Sequence, residues 1–177
     1  MAVQSGFTEI SELLECLNAD ERRQLLSMQE KFGRTALHLA VAEGQRNSIG
    51  NLSCLLRSLD YHNSQPTEGW KVEILNIADV NGQTVLHVIS AEVMIRVPLL
   101  KAYLKEISKA CNDQKTKLLM AKDSNNCTPL HLAAKGYESD SKNPTDEAQR
   151  RKCDERNAQS LSELVKALDP QHLVKIM

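Results

Sequence analysis

Apolar residues recur along this chain at helical spacing. Ile10, Leu13, Leu14 and Leu17 fall at i, i+3, i+4 and i+7, as do Leu52, Leu55, Leu56 and Leu59, and again Leu161, Leu164, Val165 and Leu168. Leu100, Tyr103, Leu104 and Ile107 supply the same stripe between the second and third sets. Side chains so spaced share one helix face, and that face has to be buried. Thr8 is a suitable N-cap for the first of these helices, near residues 8–17. Between the stripes lies a second pattern, aligned on a threonine. It reads Gly33-Arg34-Thr35-Ala36-Leu37-His38-Leu39-Ala40, then Gly82-Gln83-Thr84-Val85-Leu86-His87-Val88-Ile89, then Asn126-Cys127-Thr128-Pro129-Leu130-His131-Leu132-Ala133. Nine and seven residues before each Thr stand the apolar pairs Leu26 and Met28, Leu75 and Ile77, Leu119 and Ala121. Five residues before it stand the acids Glu30, Asp79 and Asp123.

These segments resemble the T-P-L-H-x-A signature of the ankyrin repeat, a β-turn followed by two antiparallel helices in about 33 residues. The third copy matches it completely. The resemblance implies an all-α fold, an ankyrin-repeat solenoid of helix-turn-helix units with β-turn, hairpin-like connections. The apolar stripes become the outer helices of the repeats and the acid begins a D-x-x-G turn. One array then spans residues 1–177. A half repeat or cap helix occupies 8–24, followed by repeats at 25–60, 61–108 and 109–169, and 170–177 begins a further repeat or a C-terminal cap. His172-Leu173-Val174-Lys175-Ile176 aligns with Gln24-Leu25-Leu26-Ser27-Met28, so both ends are expected to lie within a longer array or against another cap.

The copies also depart from the pattern. Their threonines are 49 and 44 residues apart, which leaves extra residues placed at 18–24, 60–73 and 108–117, between each outer helix and the next turn. The stretch from Asp60 to Trp70 is polar and turn-rich and reads as a long exposed loop. A further insertion, 137–158, separates the two helices of the third repeat, with Asn143-Pro144-Thr145-Asp146-Glu147 as a helix-start signal. Asn126 replaces the turn glycine, as Asn enters the left-handed region more readily than most residues. Gly44 closes the first inner helix, but Val93 stands at that place in the second and Gly136 comes a residue early in the third.

Composition narrows the function. Twenty-two basic and 23 acidic residues leave a net charge of -1, which excludes a general pull on nucleic acid or anionic membrane. An aromatic fraction of 3% beside 24 Leu and 15 Ala fits thin stacked helical layers. The five cysteines, Cys16, Cys54, Cys111, Cys127 and Cys153, form no C-x-x-C pair, and an odd number cannot all pair internally. That favours a reducing, cytoplasmic compartment, or the host cytosol or nucleus for an effector delivered by an intracellular bacterium. The opening residues show no secretory signal and no segment approaches a membrane span.

The chemical candidates yield to structural readings. His38, His87 and His131 each occupy the same place in their own repeat, too far apart to share one metal ion. In the family this ring bonds neighbouring turn backbone. Cys127, four residues before His131, stands at a variable position with no orienting acid, so no nucleophile is assigned. No phosphate-cradling glycine motif occurs. The run from Lys101 to Lys122 holds six lysines against two acids and reads as a solvated helix face. Residues 7–28 also resemble, loosely, the helix pair of an F-box.

The expectation is therefore a non-catalytic protein-binding module, monomeric, without cofactor or metal and with another protein as partner. The alternatives are the targeting segment of a longer enzyme or bacterial effector, and an F-box-like ubiquitin-ligase adaptor. Carried over by position, the binding residues are Lys31, Phe32, Arg34, Ala42 and Glu43, then Val80, Asn81, Gln83, Ala91 and Glu92, then Ser124, Asn125, Cys127, Lys135 and Gly136. Trp70, the only tryptophan, joins them on its expected exposed loop. Phe32 is the main anchor and Arg34 the second, since interface anchors are enriched in aromatics and Arg.

Overall fold

The computed structural model describes residues 12–42, 48–59, 68–91, 96–108, 111–135 and 147–167, and those residues form helices and turns with no strand. The fold is all-α. After a short helical stretch at 12–15 come α1 (Ala19–Ser27), α2 (Ala36–Ala42), α3 (Ser48–Ser58), α4 (Glu68–Leu75), α5 (Val85–Ala91), α6 (Arg96–Ile107), α7 (Asn112–Leu119), α8 (Pro129–Lys135) and α9 (Glu147–Ala167).

The nine helices named among the described residues pack as three ranks. α2, α5 and α8 lie side by side, as do α3, α6 and α9, and each member of the first rank packs on its partner in the second. α1, α4 and α7 form a third rank. The stripes meet between ranks: Leu52, Leu55, Leu56 and Leu59 of α3 and its end, and Leu100, Tyr103 and Ile107 of α6, are all buried. Each such side chain contributes roughly 1.5–3 kcal/mol by leaving water. Burial is thinner at the edges. α6 has α3 on one side and α9 on the other, whereas α9 meets α6 from one side alone among the described helices. Val165 of the α9 stripe is accordingly 45% exposed, and Leu13, at the opposite end of the protein, is 59% exposed. Both were expected inside.

The third rank is built from the extra residues, and it corrects the reading of Asp60 to Trp70 as a loop at residues 68–70. Residues 18–24 belong to α1, begun by a capping box in which Asn18 Oδ1 accepts the Glu21 N–H at 2.9 Å and Glu21 Oε2 accepts the Asn18 N–H at 3.0 Å. Arg22 then pins α1 down. Its guanidinium is buried and donates to the Leu14 carbonyl at 2.9 Å, the Leu17 carbonyl at 2.8 Å and the Ser58 carbonyl at 3.5 Å. Residues 68–73 are the body of α4, where Val72, Ile74 and Leu75 are buried, and residues 112–117 are most of α7. Lys71 ties α4 to α6, its Nζ lying 3.4 Å from the Glu106 carbonyl and 4.0 Å from Glu106 Oε2. The insertion expected at 137–158 is likewise shorter than read, since α9 runs unbroken from Glu147. Residues 60–67 and 136–146, together with Gly44 and Val93, lie outside the described residues.

Candidate functional site

Three turns join the ranks, and the same bonds build each. In the second, the Asp79 N–H donates to the Gln83 carbonyl and the Gly82 N–H to the Asp79 carbonyl, both at 2.9 Å. Asp79 Oδ1 accepts the N–H groups of Asn81 at 2.8 Å and Gln83 at 2.9 Å. Asp123 repeats this with Asn125 and Cys127, both at 2.9 Å. Burial alone would raise the Asp123 pKa, but the N–H groups of Cys127 and Asn125 outweigh it and hold the carboxyl below its ordinary value. In the first turn Glu30 replaces the Asp, and its longer side chain reaches the Arg34 N–H only at 3.4 Å.

Each turn is bonded to the next. The Val80 N–H donates to the Phe32 carbonyl at 3.0 Å and the Ser124 N–H to the Asn81 carbonyl at 2.9 Å. The histidines add a second tie. His38 Nδ1 accepts the Thr35 N–H at 3.2 Å and lies 2.9 Å from Thr35 Oγ1, so Nε2 carries the proton and donates to the Gln83 carbonyl at 3.0 Å. His87 does the same between Thr84 and the Cys127 carbonyl, at 3.2, 2.9 and 3.1 Å. Desolvation lowers the pKa of both rings, opposed by the carbonyl each one faces. These are neutral structural histidines. His131 keeps the local bond to the Thr128 N–H at 3.2 Å.

The linked turns set six of the expected binding residues in one row: Lys31 and Phe32, Val80 and Asn81, Ser124 and Asn125, all exposed. Phe32 is 47% exposed, with Lys31 Nζ 4.6 Å and Arg34 Cζ 5.3 Å from its ring centroid. Arg34 is held in turn by Glu30, Nε to Oε1 at 2.9 Å. Partial desolvation would raise the Glu30 pKa, but the Arg34 guanidinium and the N–H groups of Phe32 and Arg34 lower it below the ordinary carboxylate value. The result is an exposed ring clasped by two cations, an arrangement worth roughly 0.5–1 kcal/mol for each well-placed pair at the surface.

The other expected site residues divide. Gln83 is half-buried and gives its backbone to the turn and to His38. Lys135 is exposed at the end of α8, off the row of tips. Glu43, Glu92 and Gly136 lie outside the described residues. Trp70 requires a correction, because it sits in α4 and packs, partly buried, against the hydrophobic core. A ring used by the core is not an exposed anchor. The exposed apolar side chains Met28 and Leu39 of the first unit were not expected as site residues. Their positions are apolar in every copy, so sequence alone assigns them to the core.

No group of three or more His, Cys, Asp or Glu able to hold a metal occurs among the described residues. The Cys127 thiol lies 3.8 Å from the Asn125 carbonyl, and His131 Nδ1 is taken by Thr128. The helical stretch at 12–15 and α1 bury Leu14 and Leu26 in the common core. No described helix is long and apolar enough to cross a membrane. Compared with known proteins, the chain matches no protein family, no curated protein and no solved structure.

Proposed function

We propose that the chain is a non-catalytic protein-binding module, an irregular ankyrin-type array whose units carry an added helix before each turn, and that its partner docks on the row of turn tips. The observation that carries the reading is the clasped ring of Phe32 at the head of that row. Lys31 and Arg34 make this end cationic, while Val80, Asn81, Ser124 and Asn125 continue it as an uncharged strip. A fitting partner presents an acidic residue beside an apolar one, followed by polar groups that bond to the amides. Backbone bonding between turns holds the tips in place before binding, which reduces the ordering cost of association.

The experiment is affinity capture from a cytosolic lysate with mass spectrometry, comparing the wild type with Phe32→Ala and Arg34→Ala. The expected result is a reproducible set of captured proteins that both variants lose, with the melting temperature of Phe32→Ala within about 2 °C of wild type, as for a surface substitution. An unchanged captured set, or a large loss of stability, overturns the reading.

A further inference from the structure

The lysine run read as a solvated helix face folds into something more specific. Where α6 meets α7 and α9, a solvent-open cavity of about 440 Å³ gathers Lys101 and Lys105, one turn apart on α6, with Lys115 of α7 and Lys166 of α9. Glu163 is the only acid on its wall among the described residues, and its Oε1 lies 3.5 Å from Lys166 Nζ. The described residues offer Lys101, Lys105 and Lys115 no carboxylate partner, and Lys115 is half-buried. Leu104, Ile107 and Ala167 supply an apolar wall, and low-dielectric walls beside a cleft of one charge sign focus its field. Ser108 Oγ is already committed to the Lys105 carbonyl at 2.7 Å.

Three unmatched cations around one concavity are mutually repulsive, and an anion relieves that repulsion. The chemistry of the wall selects which anion. Lysine is a compact cation with three donors on a flexible stem, suited to phosphate oxygens from several directions, whereas a planar carboxylate is better matched by the rigid fork of arginine. Among the described residues no aromatic side chain lines the cavity, so these offer a nucleobase nothing to stack on. The volume lies in the range of small-molecule sites. We propose that this cavity binds a compact polyol carrying several phosphates, free or as the headgroup of a membrane lipid. None of the turn-tip residues lines it, so it stands or falls separately from the protein-binding reading.

The test is calorimetric titration of the full chain with inositol hexakisphosphate, alongside sedimentation with phosphatidylcholine vesicles with and without phosphatidylinositol bisphosphate. Lys105→Glu with Lys115→Glu is the cavity variant. Lys117→Glu with Lys122→Glu makes the same change in net charge at lysines that do not line the cavity. Saturable binding that weakens about tenfold or more in the cavity variant, some 1.4 kcal/mol, and about twofold or less in the control supports the site, and so does loss of affinity with added salt. Binding of the soluble probe assigns a free ligand; binding only to vesicles that carry the phosphorylated headgroup assigns a lipid. Lys105→Gln with Lys115→Gln provides the same comparison if the charge reversal disturbs folding. No binding to either probe, or equal weakening by the cavity and control variants, overturns the proposal.

Discussion

Replacing Gly82 by Ala tests whether the turns are held to one another or merely formed side by side. Gly82 has φ of +73°, and a Cβ there would lie 2.8 Å from Ser124 N, 3.1 Å from Ser124 Oγ and 3.2 Å from the Asp123 carbonyl carbon. Two costs arise. The left-handed backbone costs a residue with a Cβ roughly 1–2 kcal/mol. The contact also pushes the third turn away and strains the Ser124 N–H to Asn81 carbonyl bond at 2.9 Å and the His87 to Cys127 carbonyl bond at 3.1 Å. Weakening each removes about 0.5–1.5 kcal/mol. The reduced freedom of the unfolded chain returns about 0.4–1 kcal/mol, so the net loss is about 2–4 kcal/mol. Asn126 is the internal control, with φ of +59° and no further turn described beyond it. Asn126→Ala carries the backbone cost alone, about 1 kcal/mol once the tolerance of Asn for this region is included. In urea unfolding followed by circular dichroism, Gly82→Ala should lower the midpoint by about 1–2 M, at least twice the shift of Asn126→Ala. Equal shifts for the two variants would refute the idea that close approach of the next turn is what demands glycine at 82.

Stability should also fall on acidification in two stages. The folded pKa values of His38 and His87 lie below the ordinary histidine value of 6.5, so the unfolded chain takes up protons first and stability is lost as pH drops from about 6.5 through those folded values. Asp123, also lowered, contributes stability present above the ordinary Asp value of 3.8 and lost as pH falls through its folded value. Urea midpoints measured from neutral to acid pH should show both limbs, and a flat profile between pH values of about 7 and 5 would exclude the histidine stage. Arg22→Met should cost about 2–4 kcal/mol, because the carbonyls of Leu14 and Leu17 lose a charged donor. Arg22→Lys should recover only part of it, one ammonium being a poor substitute for the fork; a neutral Arg22→Met would place the anchoring of α1 elsewhere. Trp70→Ala should lower the melting temperature where Phe32→Ala does not, since only Trp70 packs against the core. Equal effects of the two would contradict the burial assigned to each.

The parts legible in the sequence are those in which one residue type performs one task at one place. The Thr and His are readable because in the first two copies the Thr N–H, the imidazole and the next turn's carbonyl form a fixed triangle that tolerates few substitutes. The outer stripes are readable for the opposite reason: they need only apolar character at helical spacing, and Leu52 to Leu59 show it. The third rank escapes both rules. α1 reads Ala-Asp-Glu-Arg-Arg-Gln before its first leucine, and its buried anchor is an arginine, so no apolar stripe marks it as a separate helix. The Asn18-x-x-Glu21 capping signature was the available signal. In α4 the buried residues Lys71, Val72, Ile74 and Leu75 share one broad helix face, but a lysine stands among them, and Gly69 and Pro66 punctuate its start as a turn would. The lysine cavity was beyond reach because its charges come from three segments, and a charge run across two of them shows neither Lys166 nor the concavity between them.

Asn126 bears on how such a motif should be read. A glycine rule drawn from backbone angle alone predicts equal demand at 33, 82 and 126, since all three have positive φ. Contact separates them. At Gly33 a Cβ would meet Val80 N at 3.0 Å, and at Gly82 it would meet Ser124 N at 2.8 Å, each time the amide that donates to the preceding turn. The third turn has no such neighbour among the described residues, and there the chain carries a side chain. The glycines are thus required by the stacking of one turn on the next, more than by the turn each one closes.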